Sequence, residues 1–175
     1  MARQAALRGL DPDLAQAGVD YSLASAAKAA TRERIMDKWL RQWRLPSVAN
    51  TARPTKRLLP GPGRQSLRIY QNLMKPQSSV LVQMRTMRIG LNHYLFKIKQ
   101  VESDRCSCEE GSQTPKHVLL DCPKFSALRL EMWRKIGRVK GLPRNFDRYD
   151  YDQLVSEPKV VRLIANFVLA TGLLQ

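Results

Sequence analysis

The chain has 175 residues, 43% of them apolar, with a formal net charge of +15. That length holds one domain, or one small domain with arms. It contains no apolar run of about 18 residues that would cross a membrane. The first residues lack the apolar stretch and cleavage site of a secretory signal, so the expected setting is intracellular and reducing, in nucleus or cytoplasm. Charge is unevenly spread: residues 28–99 carry 16 basic and 2 acidic side chains, whereas residues 100–175 carry 12 and 10. A surplus of that size repels itself unless a polyanion relieves it. Nucleic acid, RNA or DNA, is therefore the expected partner; a membrane or a small-molecule substrate is not.

Residues 1–21 are Ala-rich, with turn signals at Asp11-Pro12 and Gly18, and are expected to be disordered or frayed. A helix is predicted over about 22–44, where Ala24, Ala26, Ala27, Ala29 and Ala30 are strong helix formers. Ile35, Trp39 and Trp43 recur every four residues and make an apolar stripe, expected to pack in a core rather than to stack on bases. Arg32, Arg34, Arg41 and Arg44 occupy much of the remaining surface. Pro46 ends the helix. Residues 46–66 read as a linker in which Pro46, Pro54, Pro60, Pro62, Gly61 and Gly63 forbid regular elements, with Lys56, Arg57 and Arg64 embedded in it. The expected division is thus a basic amphipathic helix plus linker over 22–66 and a helical domain over 67–175.

Within that domain a short helix is predicted at 67–75. A longer one follows Pro76, with Val80, Leu81, Met84 and Met87 at helical spacing to about residue 88. Gly90 breaks it, and a further helix spans 91–99. Arg85 and Arg88 lie between the apolar positions. Together with the six arginines and one lysine already named, they form the set expected to contact phosphates. His93 has no nearby cysteine and reads as an ordinary polar residue.

Next comes the most informative stretch. All 3 Cys and one of the 2 His fall at Cys106, Cys108, His117 and Cys122, in the pattern C-x-C-x8-H-x4-C. Three thiolates and one imidazole are a standard structural set for tetrahedral zinc, and four protein ligands leave no open position for catalysis. Glu109-Glu110-Gly111-Ser112 supplies a turn in which Gly111 can take positive φ. Thr114 can cap a helix beginning at Pro115. On a continuing α-helix Cys122 would point about 140° away from His117, but Pro123 disfavours helical geometry at Cys122 and lets the chain swing back. Unlinked core thiols would scatter along the chain. An odd cysteine count in a reducing setting argues against disulfides.

After Pro123 a helix is predicted at 124–137, with Phe125, Leu128, Met132, Trp133 and Ile136 on its apolar face. A turn covers 151–155, and a last, strongly apolar helix runs from about 157 to 171. The acidic residues of Tyr149-Asp150-Tyr151-Asp152 have no partner carboxylates or strand hairpin around them and do not read as a polymerase pair. No strand is predicted. The expected fold is mostly α: a small irregular helical domain with a Cys-Cys-His-Cys zinc-knuckle-like turn and a basic helical N-terminal arm.

The run Ser78-Ser79-Val80-Leu81-Val82-Gln83-Met84-Arg85-Thr86, then Ile89-Gly90-Leu91-Asn92-His93-Tyr94-Leu95, the Cys-x-Cys pair, and Gln113-Thr114-Pro115-Lys116-His117-Val118-Leu119-Leu120-Asp121-Cys122-Pro123 resembles the C-terminal end of reverse transcriptases of fungal LINE-type (non-LTR) retrotransposons. There a polymerase, and often an RNase H domain, precedes a zinc-binding segment. The resemblance implies zinc held by Cys106, Cys108, His117 and Cys122, retroelement RNA or its DNA target as partner, and docking against reverse transcriptase and RNase H domains of a parent polyprotein. Two departures stand out. Met87 sits where the family usually has Gly or another small residue, and Glu109-Glu110 precede a glycine that relatives place sooner. Nothing resembles the polymerase or RNase H carboxylates, so the expectation is a detached, non-enzymatic fragment that binds nucleic acid. The alternative is a protein-interaction or scaffold piece, or a degenerate fragment; an exposed apolar patch on the N-terminal helix would favour the interaction piece.

Overall fold

The computed structural model describes residues 24–45, 54–59 and 61–174. The segment expected to fray, 1–21, and the helix-ending Pro46 lie outside the described residues. The chain is mostly helical. Among the described residues the only β-type pairing is an isolated antiparallel bridge between Arg105 and Ser112. Contacts divide it into two units, Met1–Arg44 and Leu45–Gln175. The boundary therefore falls at the end of the first helix, not at 66–67.

In the first unit, α1 runs Ala24–Arg44, with Arg41 and Arg44 in its last turn, where cations complement the helix dipole. Its apolar stripe is not core: Ile35 is 60% and Trp39 48% exposed. Met36, Leu40 and Trp43 are half-buried. The expectation of a packed stripe is corrected here, because periodicity gathers apolar side chains on one face without supplying anything to cover it.

The second unit begins earlier than its sequence indicated. Helix α2, Pro54–Leu58, lies inside the stretch read as a linker, and Leu58 packs against the core. Pro54 does not forbid this element, because at the first helical position its missing N–H is not needed. A 3-10 helix follows at Arg64–Tyr70, placing Ile69 in the core. Helix α3, Lys75–Thr86, has Pro76 in its first turn, and the Gln77 side chain accepts the Met74 N–H at 2.8 Å. Its buried residues, Gln77, Val80, Leu81, Met84 and Arg85, lie on one helical face. It ends at Met87, left-handed at φ 58, with the Arg88 N–H donating to the Gln83 carbonyl at 3.1 Å. A non-glycine side chain in this conformation costs about 1 kcal/mol. The Met87 side chain packs against the core.

Helix α4 is Asn92–Lys97, α5 Ser126–Ile136, α6 Tyr151–Leu154 and α7 Val161–Ala170. Helix α7 is the hub, packed on both α3 and α5. Val160, Ile164 and Ala165 are fully buried, and Asn166 accepts a hydrogen bond from the buried Gln77 amide at 2.8 Å. Asp150 caps α6 by accepting the Asp152 and Gln153 N–H groups. Asp152 pairs with Arg57. The two acids read as unlike a polymerase pair thus have structural partners.

Candidate metal centre

Two pieces of chain meet to form the site. The first is a knuckle. The Gln113 N–H donates to the Asp104 carbonyl at 2.7 Å and the Cys106 N–H to the Gly111 carbonyl at 2.8 Å, while the Glu109 N–H closes a tight turn onto the Cys106 carbonyl at 2.9 Å. Positive φ falls at Glu109, φ 68, and not at Gly111. The expectation for Gly111 is corrected because the turn closes directly after Cys108, so its last residue takes the left-handed conformation. Gly111 instead lies beside the His117 ring, where a Cβ would stand 4.0 Å from Nδ1.

The second piece starts at Thr114, whose Oγ1 accepts the His117 N–H at 3.0 Å, the cap its position indicated. The chain then departs from an α-helix. His117–Asp121 form a π-helical turn, and the Cys122 N–H donates to the His117 carbonyl, five residues back, at 2.8 Å. Such widened turns are rare and concentrate at functional sites. Here widening carries residue 122 back over residue 117 and removes most of the misdirection a regular helix would impose. Pro123 contributes as expected by holding Cys122 extended, at ψ 120. Val118 and Leu119 inside the turn are buried in the core.

The four ligand atoms of Cys106, Cys108, His117 and Cys122 all lie within 4.8 Å of one another and could hold a metal ion. The Cys106 and Cys122 sulfurs are 3.7 Å apart. The Cys108 sulfur is 3.2 Å from His117 Nε2. No disulfide joins the cysteines. Burial, reinforced by the neighbouring sulfurs, pushes the Cys122 thiol up to about 11 from 9.0, against the Lys124 amide that favours its thiolate. Burial acts in the same direction on Cys106, but the Cys108 amide and thiol, the Cys122 thiol and the Gln113 side chain outweigh it and hold that thiol below its ordinary value. At both sulfurs the backbone amide two residues further on acts to lower the pKa, favouring the anionic, metal-binding form.

Supporting residues not singled out from sequence complete the site. Gln113 is buried. It faces the Cys106 sulfur, while its Oε1 accepts the Asn92 N–H at 2.8 Å. Asn92 Nδ2 donates to the Arg105 carbonyl at 2.7 Å, and His93 Nδ1 lies 3.0 Å from Ser112 Oγ. The N-terminal end of α4 is thereby stapled to the knuckle. Arg129 of α5 clamps the π-turn: Nε donates to the Leu119 carbonyl at 2.8 Å, and Nη2 to the Cys122 carbonyl at 2.6 Å and the Val118 carbonyl at 3.3 Å. Nothing in its sequence context separates Arg129 from a surface arginine. The need for it arises only once the turn widens and leaves carbonyls without helical partners.

No protein-family model matches the chain, nor does any of the curated proteins or solved structures compared with it.

The residues expected to contact phosphates separate into groups. Arg32, Arg34, Arg41 and Arg44 are exposed along α1, with Arg41 paired to Asp37. Arg64 and Arg88 are also exposed. Lys56 is half-buried, and its Nζ donates to the Leu45 carbonyl at 3.2 Å. Arg57 is held by Asp152 at 2.5 Å. Arg85 is corrected outright. It is 7% exposed, and its Nη1 donates to the Val155 carbonyl at 2.5 Å and to Ser156 Oγ at 3.1 Å. Its position, four residues after Leu81 on the buried face of α3, turns it inward, where it ties α3 to the end of α6.

Proposed function

We propose that the protein is a zinc-stabilised nucleic-acid-binding module. The observation carrying this reading is the convergence of three thiols and one imidazole within 4.8 Å. Zinc–sulfur bonds of about 2.3 Å at tetrahedral angles give sulfur–sulfur edges of about 3.8 Å, against 3.7 Å between Cys106 and Cys122. The donor set and this edge both fit zinc. The ion would fasten the knuckle to the π-turn and, through Val118 and Leu119, to the core. Four protein donors leave no position for substrate, so the metal is structural and the module non-enzymatic. Thiolate ligands fit a reducing compartment, nucleus or cytoplasm. No helix among the described residues is long and apolar enough to cross a membrane.

Exposed cations on residues 28–99, above all Arg32, Arg34, Arg41, Arg44, Arg64 and Arg88, are the proposed phosphate contacts. Binding to RNA or DNA would be mainly electrostatic. The sequence pattern supports placing the chain as a C-terminal piece of a non-LTR retrotransposon reverse transcriptase. Metal analysis of the purified protein tests the site: one zinc per chain in the wild type and loss of it in Cys108→Ser is expected, and no metal in either ends the proposal. Binding to an RNA oligonucleotide and a DNA duplex across a salt series tests the function; an affinity indifferent to salt would rule out phosphate contact.

A second reading is favoured by one observation, the exposure of Ile35 and Trp39. An amphipathic helix with a basic flank fits the apolar groove of an acidic protein surface, and the parent polyprotein's reverse transcriptase or RNase H domains are the partner to test. Salt-resistant binding to those domains, lost in Ile35→Ser/Trp39→Ser, would favour this reading.

A further inference from the structure

Residues 100–175 are almost neutral in sum, yet their charges are segregated. Between Trp133 and Phe146 lie Arg134, Lys135, Arg138, Lys140 and Arg144 with no acidic residue. The fold gathers part of this run with cations from elsewhere. An open groove of about 430 Å³ is lined by Gln71 and Asn72 from the loop before α3, Lys135 and Arg138 at the end of α5, and Lys159 and Arg162 around the start of α7. Its remaining lining is apolar, with neither an acidic nor an aromatic side chain.

How these cations are held matters more than their number. Arg162 donates to the Asn72 carbonyl, and Lys159 Nζ to the Gly141 carbonyl. Neutral backbone acceptors fix both heads in place without cancelling their charge. Arg138 is exposed, and its side chain has no hydrogen-bond or ion-pair partner among the described residues. Lys135 pairs with Glu131 at 2.6 Å, but both side chains are more than half exposed, so solvent weakens that pairing. Clustered like charges in a concave wall focus positive potential, and Asn, Gln, Lys and Arg are the side chains that contact phosphate oxygens. Without an aromatic wall the groove offers no surface for a base to stack on. What it can recognise is therefore the phosphodiester backbone.

We propose that this groove is a phosphate-binding track for nucleic acid, separate from the cations of residues 28–99. The inference rests on the nucleic-acid reading above and adds a site to it. The test compares wild type with Lys135→Gln/Arg138→Gln, binding a fluorescent RNA oligonucleotide and a DNA duplex between about 50 and 200 mM salt. Both substituted side chains are exposed, and circular dichroism and metal content should match the wild type. The double variant should bind both probes more weakly and reduce the slope of log affinity against log salt by about 2. Arg138→Glu alone should weaken binding in the same direction. A steep wild-type slope that both variants retain overturns the groove and leaves the nucleic-acid reading standing; a flat wild-type slope overturns both.

Discussion

Helices α1 and α3 carry a similar message in sequence, apolar residues at helical spacing with basic residues between them, and the fold treats them oppositely. In α3 the stripe of Val80, Leu81 and Met84 is buried, because α7 and α2 pack on it, and the adjacent Arg85 goes in with it. In α1, Ile35 and Trp39 remain largely exposed and the arginines face solvent. An amphipathic pattern specifies a face, and the face becomes core only where another element arrives to cover it. An arginine's role follows from the same circumstance: a buried one must spend its donors on carbonyls, whereas an exposed one keeps them for a ligand.

That contrast can be tested by mutation. Leu81→Ala should destabilise the unit from Leu45 onward by about 2–5 kcal/mol, as cavities in packed cores do. Trp39→Ala should cost less than about 0.5 kcal/mol in the same urea titration. Comparable losses would mean that α1 is covered after all. Arg85→Met should cost about 1–3 kcal/mol by leaving the Val155 carbonyl unpaired while sparing nucleic-acid affinity, whereas Arg41→Gln should leave the urea midpoint unchanged and lower affinity. If Arg85→Met weakens binding while stability holds, its assignment as an internal strut is wrong.

A third test uses pH on the α3 side alone. Tyr151 donates to the Met84 carbonyl at 2.9 Å, and burial raises its pKa above the ordinary 10.0. The folded chain then keeps the phenol proton where the unfolded chain releases it. The stabilisation is complete below pH 10 and fades as pH climbs from there toward the raised folded value, by about 1.4 kcal/mol per pH unit. Tyr151→Phe should flatten that decline while helicity of α1 is unaffected; an unchanged slope would implicate other groups. A modest gain is expected at the knuckle, where Glu109→Gly should raise stability by about 0.5–1 kcal/mol by relieving the left-handed backbone. A loss there would show that the Glu109 side chain contributes more than the strained backbone costs.

Much of the candidate metal centre was legible from spacing because the four residues that could hold an ion are close in sequence. Thr114 as cap and Cys122 as an extended pre-proline residue follow from local rules that need no tertiary partner. The π-turn was not legible. Nothing in His117-Val118-Leu119-Leu120-Asp121 departs from ordinary helix composition. Its widening is compatible with carbonyl hydrogen bonds from Arg129, a residue on another helix. Gln113 escaped for a related reason, since a buried glutamine is recognisable only by the partner it meets, the Asn92 amide. Helix α2 and the groove beside α7 were hidden by averaging: prolines counted together obscured that Pro54 starts a helix, and charges summed over 100–175 obscured a purely basic run.

The amino-acid sequence alone determined the helical class, the grouping of Cys106, Cys108, His117 and Cys122 that could hold a metal ion, and the excess of positive charge, all of which depend on residue type and short spacings. Tertiary structure alone decided which apolar stripe is covered, that Arg85 serves the interior and Arg129 the site, and where the cations of the C-terminal half converge. Those outcomes depend on neighbours distant in the chain, and burial and partnership, unlike propensity, are properties of pairs of segments and not of either one.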